Sequence, residues 1–166
     1  MDNPYAPPQS SIDQNPTAAT TSVLASRWMR LLAALVDTVI GAGVSMVLIF
    51  VIMGLDLKGL GNVSMATQAQ LAVMGVVAFL ALHGYLLAKK GQTIGKLVCD
   101  IRIAKLDGNI PEFLPLILKR YLPVWLVAQI PVIGGLLNLV NVLFIFRSDK
   151  RCVHDLIAGT RVIKAS

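Results

Sequence analysis

Charge is scarce in this chain, and acidic charge scarcest. Only 14% of its 166 residues are Asp, Glu, Lys or Arg, and nine of them are acidic. A soluble globular domain carries about a quarter charged residues, so an ordinary soluble domain is not the expectation. Cysteine is limited to Cys99 and Cys152, neither in a CxxC or metal-ligand spacing. That excludes a disulfide framework and a zinc site and leaves two ordinary reduced thiols, with no metal and no cofactor expected. Aromatic residues make up 6% and do not interleave with basic ones, so the net charge of +6 does not read as a nucleic-acid face. The N-terminal segment lacks a charged stretch followed by an apolar core, so no cleaved signal peptide is expected. No nucleophile–base pair or metal set stands out, and an enzyme is not expected either.

What the chain does have is apolar sequence, 55% of it, gathered into blocks. Leu31–Leu55 is a run of 25 residues with one charged side chain, Asp37. It is long enough to cross a bilayer as a helix, with Ser26 as its N-cap candidate. Ala69–Ala88 is a second run, of 20 residues with no Asp, Glu, Lys or Arg. Of the 15 Lys and Arg residues, seven fall in 89–120 and five after 146, which places both regions on the cytoplasmic side. The N-terminus belongs there too, since two spans separate it from 89–120. The last apolar block, Phe113–Phe146, then has to leave and return on one side. Its 34 residues give about 51 Å of helix, short of two full spans. The break at Pro131-Val132-Ile133-Gly134-Gly135 suggests a helical hairpin with short arms, shallow or re-entrant.

The expected fold is therefore an all-α membrane protein: a bundle of two full transmembrane helices plus a helical hairpin, three or four membrane segments in all, with a small cytoplasmic β element. For that element the candidates are Val98–Leu106, followed by an Asp107-Gly108-Asn109 turn, and Thr160–Lys164. Residues 1–25, rich in Pro, Ser and Thr, read as a disordered cytoplasmic tail, and 26–166 as the transmembrane domain.

Polar residues inside apolar blocks are the candidate site. Arg30 and Asp37 are seven apart on one helical face, about 10 Å along the axis, in a stripe of small residues with Ala34, Gly41 and Ser45. An ionisable group at that depth is costly and faces protein or water rather than lipid. It either binds a cation or proton, tuned by the guanidinium, or belongs to a polar network that fixes packing. His83, near the end of the second span, shares the level of Asp37 and either relays protons with it or is a packed, hydrogen-bonded histidine. Gly91-Gln92-Thr93-Ile94-Gly95-Lys96 is one residue short of a phosphate-cradling loop and lacks the Ser or Thr after lysine, so it reads as a structured turn. The His154-Asp155 pair alone is too little for a metal site or a catalytic dyad.

Three segments, in order, resemble the RDD family of small bacterial membrane proteins: Arg30-Leu-Leu-Ala-Ala-Leu-Val-Asp37, then GQTIGK at 91–96 with IRIAKLDG at 101–108, then HDLIAGTRVI at 154–163. The resemblance implies a multi-pass protein of the bacterial inner membrane, both termini cytoplasmic, with Arg30, Asp37 and Asp155 as its marks. Two functions are expected from the residues and the resemblance together. One is movement of a small cation or solute, coupled to protons through Asp37, in a homo-oligomer. The other is a non-transporting scaffold in which Arg30, Asp37 and Asp155 form a structural network.

Overall fold

A computed structural model describes residues 23–50, 54, 64–130 and 132–165. The tail expected over residues 1–22, the loop around Lys58 and the end of the first helix near Leu55 lie outside the described residues.

Two long apolar helices carry the architecture. Helix α1 (Arg27–Leu48) starts at Ser26, whose hydroxyl accepts from the Met29 N–H at 3.2 Å. Helix α2 (Met65–Lys90) starts in the same way at Ser64, which accepts from the Thr67 N–H at 3.1 Å. Each cap satisfies a backbone donor that the first turn leaves unpaired. With 22 and 26 residues, the two are about 33 and 39 Å long, enough to cross a bilayer. Their apolar side chains are largely uncovered: Leu35, Val39 and Met46 of α1 and Val73 and Val77 of α2 are all exposed.

Helix α2 ends at Gly91 in the left-handed conformation (φ +64°), with the Gly91 and Gln92 amides returning to Leu87 and Leu86. A side chain there is excluded twice, because a Cβ would also lie 2.5 Å from the Ile103 carbonyl oxygen. The short helix α3 (Ile94–Val98) follows, then strand β1 (Ile101–Lys105). Strand β2 (Thr160–Lys164) pairs with β1 antiparallel, with Ile101 opposite Lys164 and Lys105 opposite Thr160. The Asp107-Gly108-Asn109 turn closes through the Asn109 amide on the Asp107 carboxylate. Residues 23–25, expected in the tail, add to the other edge of β2: Leu24 bridges Ile163, and the Ala25 N–H donates to the Val162 carbonyl.

The last apolar block forms two arms. The first runs from α4 (Phe113–Leu116) through a π-helical turn (Ile117–Tyr121) into α5 (Leu122–Ala128). The second is α6 (Ile133–Leu143) with a 3-10 turn to Phe146. Both arms are anchored at the sheet end: Arg120 of the first reaches Thr160 and Asp155, and the Ile145 carbonyl of the second accepts from Arg27. Helix α7 (Val153–Ile157) then leads into β2.

Burial is concentrated where helix ends meet the sheet. One cluster packs Ala25, Ala33, Cys99, Ile101 and Val162, and another packs Leu87, Ile103 and Leu116. The chain is thus a mostly helical protein with two long apolar helices and a small two-strand sheet as its packed cap. Replacing Gly91 with Ala forces a left-handed Cβ, about 1–3 kcal/mol of backbone strain before the overlap with Ile103 is counted. Thermal unfolding of purified protein will show a midpoint several degrees lower, and an unchanged midpoint would refute this account of the turn.

Candidate functional site

The candidate residues fall into two polar centres, and Arg30 and Asp37 belong to different ones. The first centre is built on Asp155, which has no solvent exposure at all. Its position at the third residue of α7 lets Oδ2 accept the Cys152 N–H at 3.0 Å, closing a capping box at the helix start. Arg30 of α1 places Nη2 2.5 Å from that same oxygen. Arg120, from the π turn of the first arm, donates to the other oxygen and to the Thr160 hydroxyl at 2.7 Å. Arg30 also bonds the Lys150 carbonyl, and Arg151 donates to the carbonyls of Thr160 and Asp155 at 3.0 and 3.2 Å. One carboxylate thereby joins α1, the first arm, α7 and β2.

Burial alone would raise the Asp155 carboxyl, but the guanidiniums of Arg120 and Arg30 outweigh it and hold the group well below the usual carboxylate range. Its neighbour His154 goes the other way. Burial, reinforced by Arg120, lowers its pKa to about 3, so the ring is neutral. Asn141 Oδ1 accepts from the His154 amide at 3.1 Å and sits 2.9 Å from Nδ1.

Cys152, His154 and Asp155 bring one ligand atom each within 4.8 Å of one another, so a metal ion has to be considered. These residues do not fit one. Both carboxylate oxygens are taken by guanidiniums, whose charge opposes a cation, and burial pushes the Cys152 thiol up, away from the thiolate a metal requires.

The second centre is the start of α3. A helix leaves its first amides without partners, and here three different side chains supply them. His83 Nδ1 accepts from the Ile94 N–H at 3.2 Å, Asp37 Oδ1 from the Gly95 N–H at 2.7 Å, and the Thr93 hydroxyl from the Lys96 N–H at 3.4 Å. Thr93 in turn donates to Asp37 Oδ2 at 2.5 Å, and the Lys96 ammonium stands 3.8 Å from that oxygen. Burial, with Arg120 adding to it against the pull of Asp37, lowers the Lys96 pKa to about 8. Gly95 makes the approach possible: a Cβ there would lie 2.1 Å from the Ala33 carbonyl oxygen and 2.9 Å from the Asp37 carboxylate. Gln92 is buried and donates to the Ile101 carbonyl at 3.0 Å, and Gly91 supplies the turn already described.

The shared level expected for Asp37 and His83 is therefore realised as a shared target, the first turn of α3, rather than as a pair bonded to each other. The guanidinium expected to tune Asp37 is engaged on Asp155 instead, and Lys96 is the cation beside Asp37. Sequence reasoning did not single out Arg120 or Thr160. The available signal for Arg120 was a basic residue seven positions inside the apolar block that starts at Phe113. Asp37 and His83 also line a groove of about 640 Å³ between α1, α2 and the first arm, whose other lining residues are almost all apolar.

These geometries can be set beside known proteins. A family model described as "RDD family" matches residues 24–159. The chain is 35% identical over 139 residues to "Uncharacterized protein YckC" of Bacillus subtilis (strain 168), spanning 84% of this chain and 83% of that protein. No solved structure matches.

A pH dependence follows from His154. A histidine whose folded pKa is depressed binds its proton more readily when unfolded, so it withdraws stability as pH falls below 6.5 and continues to do so toward 3. Asp155 acts lower. The stability from its depressed carboxyl is complete above the unfolded value of 3.8 and is lost as pH falls below that. Unfolding midpoints measured from pH 7 to 3 should decline in two stages. A His154→Gln variant should flatten the decline from about pH 6.5 toward 3 and leave the Asp155 loss below 3.8 in place, and an unaltered profile in that variant would refute the assignment.

Proposed function

Since the chain belongs to the RDD family, we propose that it is an integral membrane protein of scaffold or accessory type, in which the motif charges clasp a cytoplasmic cap onto the ends of membrane helices. Support for the membrane comes from α1 and α2, long, apolar and mostly uncovered by the rest of the chain. A water-soluble protein would bury such faces. The clustering of basic residues around the sheet favours the cytoplasm for that end, with both termini on it and the last block entering and leaving on the same side.

The observation that carries the clasp is the saturation of Asp155. Its two oxygens take Arg30, Arg120 and the Cys152 amide, and nothing is left to bind a solute. Removing one member strands buried charge, at a cost of about 3–5 kcal/mol, whereas replacing all members by apolar side chains of similar volume is often neutral. Asp155→Asn and Arg120→Met should therefore each reduce the folded, monodisperse protein recovered from membranes at least severalfold. The combined variant R30M/R120M/D155L should recover much of that yield. Single variants with wild-type yield and assembly would overturn the clasp.

A second reading is favoured by one feature: Asp37 reaches the groove and has a cation, Lys96, at 3.8 Å rather than in tight contact. On this reading a small cation displaces the Lys96 ammonium from Asp37, and the displaced ammonium gives up its proton in exchange. So few helices do not enclose a pathway, which requires a homo-oligomer. In proteoliposomes, Asp37→Asn should then abolish cation-dependent proton flux, and flux equal to wild type would eliminate the reading.

A further inference from the structure

The groove between α1, α2 and the first arm has an uneven chemistry. Gly41, Val44 and Leu126 form its apolar length, and Phe79, His83 and Trp125 stand together on its wall. The Phe79 ring centroid lies 4.8 Å from that of His83 and 5.2 Å from that of Trp125, the latter edge-on, with Tyr121 closing the cluster at 5.0 Å. His83 is 2% exposed. Its Nδ1 accepts the Ile94 N–H, so the ring is neutral and carries its hydrogen on Nε2. The hydrogen bond given to this ring by the described residues is at Nδ1, not Nε2. The ring lines the groove, so a donor at Nε2 can be met from that side.

We propose that this groove binds a membrane-soluble amphiphile of the quinone class: a flat head bearing a carbonyl, with an apolar tail. The carbonyl accepts from His83 Nε2–H, the head packs on Phe79 and Trp125, and the tail runs past Gly41 and Val44. The inference rests on the membrane reading, because such a ligand reaches the groove from the bilayer. The volume of about 640 Å³ and an apolar lining with one convergent donor suit this ligand class. A hydrated cation is served poorly here. The acidic lining residue, Asp37, already accepts from Thr93 and Gly95 and faces Lys96. A simple acyl chain would leave the histidine donor unmet.

The chain's two tryptophans make the test direct. In a Trp28→Phe background, Trp125 is the single indole reporter. The full chain, in nonionic detergent, is titrated with decylubiquinone, with N-acetyltryptophanamide in the same micelles reporting quenching by partition alone. Saturable quenching beyond that control is expected. His83→Phe, which keeps an aromatic ring but removes the donor, should weaken it about fivefold or more. Because His83 also holds α3, a second variant is needed. Gly41→Leu projects into open space, with nothing within 4 Å of its Cβ, and should block binding with His83 intact.

Four results would overturn the proposal: quenching that does not saturate, quenching unchanged in both variants, equal displacement by hexadecane, or a Gly41→Cys disulfide dimer in membranes showing that a second copy fills the groove. Carbonate extraction of the same membranes separates the two claims. Loss of the protein into the wash defeats the membrane reading itself, whereas retention without saturable quenching defeats only the ligand.

Discussion

A fully buried carboxylate has to be matched by positive charge and hydrogen-bond donors, and most of this molecule's arrangement follows from how Asp155 meets that demand. Desolvating a carboxylate costs several kcal/mol, and a single partner seldom repays it. Asp155 takes two guanidiniums, from positions 30 and 120, and an amide from its own helix. Those two arginines come from α1, whose leading residues 23–25 also pair with the edge of β2, and from the hairpin arm. The electrostatic requirement thus sets the placement of elements distant in sequence. The apolar clusters around Ala33 and Leu87 then fill the space between them. Arg30 also donates to the Lys150 carbonyl, and Arg151 donates to the carbonyls of Thr160 and Asp155, so the 150–160 segment is folded closely around the trio.

The second centre solves a different problem with the same economy of charge. Helix α3 is five residues long, too short to be stable by itself. It persists because side chains from α1 and α2 occupy its unpaired amides and because Gly95 lets its backbone rest against Ala33. Asp37 and His83 are therefore not free polar groups waiting in an apolar helix. Each has one function already, to hold the connection between α2 and β1 in place. Whatever either does further has to use what that leaves over: the outer side of the Asp37 carboxylate near Lys96, and Nε2 of His83.

Much of this was legible in the sequence, and the limits are physical. Ser26 as a cap, the Asp107-Gly108-Asn109 turn and the two strands are local chemistry, and they appear where composition and spacing put them. The hairpin followed from counting: too few residues for two spans, with a break in the middle. The partners of the charges were not legible. Periodicity places Arg30 and Asp37 on one face, but a face is not a contact. Arg30 lies at the helix end, beside the sheet, and Asp37 lies two turns away, beside α3. Arg120 escaped for a related reason. It sits in a π turn, where an extra residue per turn rotates everything downstream, so helical spacing misreports which way it points.

The two centres together explain a division that the exposure pattern makes plain. The sheet end, where Asp155 is closed off, holds nearly all of the buried residues, while the long helices and the hairpin tip keep apolar surface uncovered. With both Asp155 oxygens occupied, the buried charged centre of the cap has no acceptor left over for a ligand. The apolar half is the reverse, loosely covered and shaped into a groove. Its polar end is supplied by the same two side chains that hold α3. Fixing α3 also fixes the orientation of His83, because the Ile94 amide determines which ring nitrogen keeps the hydrogen. In this way the rigidity of the cap reaches the groove as a single directed donor, and it does so without any charged residue having to move.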